Sequence, residues 1–119
     1  MAEHNEIGKW GEDLAVDYLL SKGYVILQRN YRFERAEIDI IAEFENELVI
    51  TEVKTRKQFH HVELTDIISQ RQQSQIIHSA EGFIQENEIE LDARFDIILI
   101  LWKGKNHTLK HIKYAFYSI

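Results

Sequence analysis

The chain has 119 residues, 45% of them hydrophobic, with a formal charge of −6 and no cysteine. That length holds one compact domain, residues 1–119, with enough apolar material for a core, and it excludes a disulfide framework or a thiolate metal site. Met1-Ala2-Glu3-His4-Asn5-Glu6 lacks the basic-then-apolar pattern of a signal peptide, and the apolar run Ile97 to Trp102 is too short to span a bilayer, so a cytoplasmic, non-membrane protein is expected.

Ile7, Trp10, Gly11, Leu14, Ala15 and Tyr18 recur at helical spacing and predict a helix from about Asn5 to Ser21, with Gly23 as its stop signal. Tyr24 to Arg32 reads as a strand. Glu37 to Phe44 and Glu47 to Thr55 read as two more around a tight turn near Glu45-Asn46-Glu47. Arg56 to Glu63 is polar and reads as a loop. Ile76, Ile77, Ala80, Phe83 and Ile84 predict a second helix over Thr65 to Asn87. Phe95 to Trp102 is an apolar strand fit for burial on both faces in mid-sheet. Lys103-Gly104-Lys105-Asn106 makes a turn, and His107 to Tyr117 is a last strand. Helix, three strands, helix, two strands predicts an α/β three-layer sandwich around one central mixed sheet flanked by helices.

The informative stretch is Ala36-Glu37-Ile38-Asp39-Ile40-Ile41-Ala42 followed by Ile50-Thr51-Glu52-Val53-Lys54-Thr55. Alternation along a strand points Glu52 and Lys54 to one face. A two-residue loop at Glu45-Asn46 sets Asp39 opposite Glu52; one at Asn46-Glu47 sets it opposite Lys54. Both registers leave the three residues on one face, whereas a three-residue loop without a bulge would separate them. Opposed carboxylates repel and call for a cation, which Lys54, a bound divalent metal or both would supply. Hard oxygen ligands suit Mg²⁺ or Mn²⁺, and the Val53 carbonyl offers a further oxygen. Such a site fits phosphodiester hydrolysis, with Lys54 orienting water or stabilising charge. The plainer reading is a salt-bridge ladder of Asp39 and Glu52 with Lys54 and Arg56. Glu12 lies at the edge of the first helix's apolar face, as a solvated boundary residue or as a member of the site.

The segments Gly8-Lys9-Trp10-Gly11-Glu12-Asp13-Leu14-Ala15, Arg29-Asn30-Tyr31-Arg32, Ala36 to Ala42, Glu52-Val53-Lys54-Thr55-Arg56 and Arg94-Phe95-Asp96 stand in this order over almost the whole chain. In that order and spacing they resemble the YraN-like family of small bacterial proteins. That family is similar to the restriction-endonuclease-like, or PD-(D/E)XK, nucleases, and among them to the archaeal-type Holliday junction resolvases. The resemblance implies Asp39 as a metal-binding aspartate, Glu52 and Lys54 as the (D/E)XK pair, and Glu12 as the acidic residue of the first helix. Glu37, Arg56, Arg94 and Asp96 also match family positions and are assigned supporting roles. Ala36 departs from the family's usual glycine. Gln72 stands where the family often has a lysine; Arg71 would replace that charge, Gln72 would act as a polar helper near the phosphate, or both belong to a solvated helix face.

The acidic balance is the opposite of the usual nucleic-acid footprint, but a metal site needs carboxylates, and the bound cation inverts the local field. Arg32 and Arg35, with Arg29 nearby, and Arg56 and Lys57, beside Lys54, are the candidate DNA contacts, together with Arg71 and Gln72; each group also reads as ordinary surface charge. No histidine metal site is expected: His60 and His61 are adjacent and diverge, and no HExxH arrangement exists. No glycine-rich phosphate loop or serine elbow is present. Trp10, Tyr18, Phe83 and Phe95 read as core, and Tyr31, Phe33 and Phe59 as the better stacking candidates. The expectation is a Mg²⁺- or Mn²⁺-dependent endonuclease acting on DNA, including branched or structured DNA. The rival is a non-catalytic module that keeps the fold and binds nucleic acid or a protein partner. A homodimer would offer two sites to a branched substrate.

Overall fold

A computed structural model describes residues 2–57 and 67–117. The elements are α1 (Ala2–Ser21), β1 (Val25–Phe33), β2 (Ala36–Phe44), β3 (Glu47–Lys57), α2 (Gln70–Glu86), β4 (Asp92–Lys103) and β5 (Asn106–Phe116). The strands form one sheet in the order β1-β2-β3-β4-β5. All neighbours are antiparallel except β3 and β4. The connections account for this: tight turns join the antiparallel neighbours, whereas a parallel pair needs a long crossover, and α2 lies within it. Helix α1 packs on β1 and β3, and α2 on β1 and β2.

Alternation along the strands divides the core in two. Phe95, Ile97 and Leu99 of β4 join Ile41, Leu48, Ile50, Ile76 and Phe83 beneath α2. Ile98 and Ile100 join Ala15, Leu19, Ile40, Ala42 and Val49 beneath α1. The α/β architecture with a central mixed sheet is therefore as the sequence predicts.

Local signals explain the boundaries. Gly23, at φ +92°, ends α1: its N–H donates to Leu20 O at 3.1 Å, and Tyr24 N–H donates to Leu19 O at 3.0 Å. This is the Schellman closure that glycine permits. The β2–β3 turn is the two-residue Glu45-Asn46, with φ of +49° and +65°, the pattern of a type I′ hairpin turn. Phe44 then pairs with Glu47 and Ile40 with Thr51, the register that points Asp39 at Glu52.

Two expectations change. Helix α2 starts at Gln70, not Thr65, because Ser69 caps it: Ser69 Oγ accepts from Gln72 N–H at 3.1 Å, and Gln72 Oε1 accepts from Ser69 N–H at 3.2 Å. This capping box satisfies two helix-end donors at once. Strand β3 runs on to Lys57, so Arg56 and Lys57 extend a strand and do not begin a loop. The remainder of that loop, with Phe59, His60 and His61, lies outside the described residues.

Strand β2 breaks its own alternation at Asp39. Ile38 belongs to the core under α2 and Ile40 to the core under α1, although residues two apart normally share a face. Asn30, which lies between the partners of Ile38 and Ile40 on β1, has φ +52°. Asparagine is among the few residues that tolerate this conformation. The sheet is thus locally distorted where Asp39 sits.

Candidate active site

The recorded pairing of β2 with β3 extends as far as Ile40 and Thr51. Beyond it, Val53 N–H donates to Asp39 Oδ2 at 2.8 Å. A strand residue's N–H and C=O point to the same neighbour, so the Val53 carbonyl faces the gap where Asp39 lies. Glu52 and Lys54 reach the same place, with side chains only 13% and 15% exposed and Lys54 Nζ at 3.6 Å from Glu52 Oε2. The structure therefore brings Asp39, Glu52, Val53 and Lys54 together.

The cluster is electrostatically incomplete. Burial pushes the Asp39 carboxyl up to about 8, and the adjoining Glu52 raises it further than Val53 N–H and Lys54 can lower it. Glu52 Oε1 is buried without a hydrogen-bond partner; among the described residues only Thr51 Oγ1 shares that condition. An orphaned carboxylate oxygen beside a second carboxyl is costly unless a cation or proton completes it. Asp39, Glu52 and the Val53 carbonyl are hard oxygen donors, so the set fits Mg²⁺ or Mn²⁺. Among the described residues no three His, Asp or Glu side chains converge to cage an ion. An ion held here would rest on two carboxylates and a carbonyl, completed by water and substrate oxygens, as Mg²⁺ often is.

Glu12 approaches from α1 without joining that pair. Its Oε1 accepts from Asn30 Nδ2 at 2.9 Å and lies 3.8 Å from Arg29 Nη2. Burial raises its pKa, Asn30 opposes the rise, and the charge on Asp39 adds to it. Asn30 Nδ2 also reaches Glu37 Oε1 at 3.4 Å, so it links two carboxylates around the site. The sequence reading gave Asn30 no role; the signal was an asparagine beside Arg29 in a strand whose partner carries Asp39. Gly11 lets α1 come this close: a Cβ there would run into Thr55 Oγ1, next to Lys54.

The candidate DNA contacts are dispersed. Arg32 pairs with Glu37 at 3.1 Å, and Arg29 with Asp13 at 2.9 Å. Arg35 is exposed at the β1–β2 turn, and Arg71 on α2. The Gln72 side chain is engaged in the helix cap. Arg56 donates to the Thr55 carbonyl, and Lys57 Nζ lies 5.5 Å from the centre of the Trp102 ring. The aromatic assignments are revised at both ends. Tyr31 is buried in the core with Phe33 packed against it, so both are structural, whereas Trp10 is 39% exposed and is not core.

A second polar cluster surrounds Asp96, which is fully buried. It accepts from Arg94 Nη2 at 3.0 Å and Tyr114 N–H at 3.1 Å, and lies 2.7 Å from His111 Nε2. Arg94 also donates to Tyr24 Oη at 2.7 Å and reaches Glu47 at 3.4 Å. Tyr18 Oη lies 3.0 Å from His111 Nδ1. Burial alone would raise the Asp96 pKa, but His111, Arg94 and the Tyr114 N–H hold it below the usual carboxylate range. Arg94 and Asp96 were marked in the sequence as supports; their partners Tyr18, Tyr24, His111 and Tyr114 were not.

The family model described as uncharacterised protein family UPF0102 matches residues 11–100. A UPF0102 protein of Flavobacterium psychrophilum is 43% identical over 117 residues, covering 98% of each chain. One from Phocaeicola vulgatus is 42% identical over 98% of this chain and 97% of its own. One from Prosthecochloris aestuarii is 39% identical over 96% and 95%.

Proposed function

On the premise that this chain belongs to the uncharacterised protein family UPF0102, the YraN-like family, we propose that it is a divalent-metal-dependent endonuclease of the cytoplasm, hydrolysing phosphodiester bonds in DNA. The observation that carries this reading is the half-buried Asp39–Glu52 pair, with one buried and unpartnered Glu52 oxygen, set beside Lys54 where β2 and β3 part. Structural carboxylates are normally paired or hydrogen-bonded. A Mg²⁺ or Mn²⁺ ion held by Asp39, Glu52 and the Val53 carbonyl would polarise the phosphoryl group and acidify an attacking water.

The residues themselves divide the remaining work. In hydrolysis a water oxygen bonds to phosphorus, the bond to one deoxyribose oxygen breaks, and that oxygen takes up a proton. Lys54 places a positive charge beside Glu52, where it can orient the water and stabilise the charge that develops on the phosphoryl oxygens. Glu12, its pKa raised by burial, is the auxiliary acid. The same set of residues is why we place the chain with the PD-(D/E)XK nucleases.

The test is cleavage of single-stranded, duplex, flapped and four-way-junction DNA with Mg²⁺ or Mn²⁺, beside Asp39→Ala and Lys54→Ala. Cleavage lost in both variants supports the reading. No cleavage, or equal cleavage by the variants, overturns it. In that event the non-catalytic module becomes the better account, and the acid-paired Arg29 and Arg32 in a chain of charge −6 already favour it. Metal titration separates the two, since only the enzyme requires an ion at Asp39 and Glu52.

A further inference from the structure

Trp10 and Trp102 flank a cavity of about 190 Å³, with Ile7 beneath and Gly104, Lys105 and Asn106 of the β4–β5 turn at its rim. Trp10 is 39% exposed and Trp102 half-buried. His107 stands edge-on to Trp10, with ring centres 5.3 Å apart, and Lys57 Nζ lies over Trp102. Large aromatic surface open to water is seldom left without a use.

The charge around it departs from that of the chain as a whole. After Asp96 the sequence holds no Asp or Glu, but it holds Lys103, Lys105, Lys110 and Lys113, in a chain whose net charge is −6. All four lysines are exposed. The basic footprint absent from the whole chain is therefore present on this hairpin.

The cavity lies on the α1 face of the sheet. Gly11 of α1 rests on Thr55, with Trp10 and Glu12 on either side of it in sequence. Positions two apart on a helix point in nearly opposite directions, so Glu12 turns to the charge of Asp39 and Trp10 to the hairpin. Trp102 pairs with Lys57, three residues beyond Lys54 on the same strand. That odd separation turns Lys57 and Trp102 to the α1 face with Thr55, and Glu52 and Lys54 to the other, so the cavity and the carboxylate pair are separate places on the sheet.

We propose that the Trp10–Trp102 cavity receives one unpaired nucleobase of a bound DNA strand. The rings stack on the base, and Lys103 and Lys105 neutralise the neighbouring phosphates. A base in a duplex carries its partner and its stacked neighbours with it and does not enter between the rings. The substrate class is therefore DNA with unpaired nucleotides. This rests on the nucleic-acid reading of the carboxylate site.

The chain has only two tryptophans, and both line the cavity, so its intrinsic fluorescence reports on this place alone. The full chain is titrated in EDTA at low salt with a short oligothymidylate, an abasic strand of equal length and a blunt duplex. The thymidine strand is expected to quench saturably, and the other two to bind about tenfold more weakly. Trp10→Phe, Trp102→Leu and Lys105→Glu each weaken the thymidine strand by a similar factor, and the first two leave one reporter in place. Circular dichroism shows whether each variant is folded, and the exposed turn residue Lys105 keeps the test open if a tryptophan variant is not. Absent quenching, or equal response to the abasic strand, overturns the inference. Quenching without metal-dependent cleavage keeps the cavity and removes the nuclease; cleavage lost in Asp39→Ala without quenching does the reverse.

Discussion

Two carboxylate clusters share one sheet and differ in how far they are satisfied. Asp96 has no exposed surface, yet an arginine, a histidine and a backbone N–H surround it. Asp39 and Glu52 have one backbone N–H and one lysine between them, and one buried oxygen with no partner. Asp96, the more deeply buried, is held below the usual carboxylate range by its partners, whereas Asp39 is pushed up to about 8. Pairing therefore decides the outcome more than depth does. A satisfied cluster holds a fold together, and one short of a cation has its missing partner still to come.

The largest effect should come from breaking the satisfied cluster. Asp96→Ala removes the carboxylate nearest the buried Arg94, leaving it Glu47 at 3.4 Å and the Tyr24 hydroxyl, and should cost about 3–5 kcal/mol in urea unfolding. A loss under about 1 kcal/mol would mean that the network adds little and would undo the contrast. Next come Asp39→Ala and Lys54→Ala in the other cluster. Each should lower cleavage by about 10²–10³-fold, with no comparable loss in the urea midpoint. Variants that lose stability in step with activity would make this cluster structural too.

The same contrast shows what a sequence discloses. That Asp39 shares a face with Glu52 and Lys54 was legible because both two-residue turns give it; which residue stands opposite Asp39 was open until the positive φ values of Glu45 and Asn46 fixed the turn. The face switch between Ile38 and Ile40 was not, because it depends on Asn30 of the neighbouring strand adopting φ +52°. Helical spacing marked Trp10 as apolar-face, but spacing does not say where the sheet stops covering that face. The start of α2 was set too early because the apolar spacing from Ile76 onward does not mark where a helix begins, which the Ser69–Gln72 capping box does. The Asp96 network joins residues up to 93 apart in sequence, such as Tyr18 and His111, and no local pattern marks it.

A smaller change should sharpen the boundary between fold and site. Gly11→Ala puts a methyl group against Thr55 and should destabilise by about 1–3 kcal/mol. It also moves Glu12 and Trp10 outward together, so cleavage should fall further than stability explains. Gly8→Ala, with open space around it, is the control. It should be neutral or stabilising by up to about 1 kcal/mol in thermal melts. Equal responses at the two glycines would show that the close approach of α1 does not matter.

The smallest effect is the most diagnostic, because removing this carboxylate should stabilise the fold. In EDTA the folded chain holds a proton on Asp39 up to about pH 8, whereas the unfolded chain releases it near 4. The folded state thus binds more protons between those limits, and this contribution to stability declines as pH rises from about 4 to 8. Asp39→Asn has no such proton to lose. It should be more stable than the parent at pH 8 by about 0.5–2 kcal/mol, with the gap closing toward pH 5. Urea midpoints of both proteins at several pH values measure the difference, and subtracting one from the other removes the titrations they share. Mg²⁺ should stabilise the parent most at pH 8, where it no longer competes with the proton, and should leave Asp39→Asn unmoved. A gap that widens toward low pH would mean that Asp39 is held ionised by its neighbours and that its cluster is as complete as the one around Asp96.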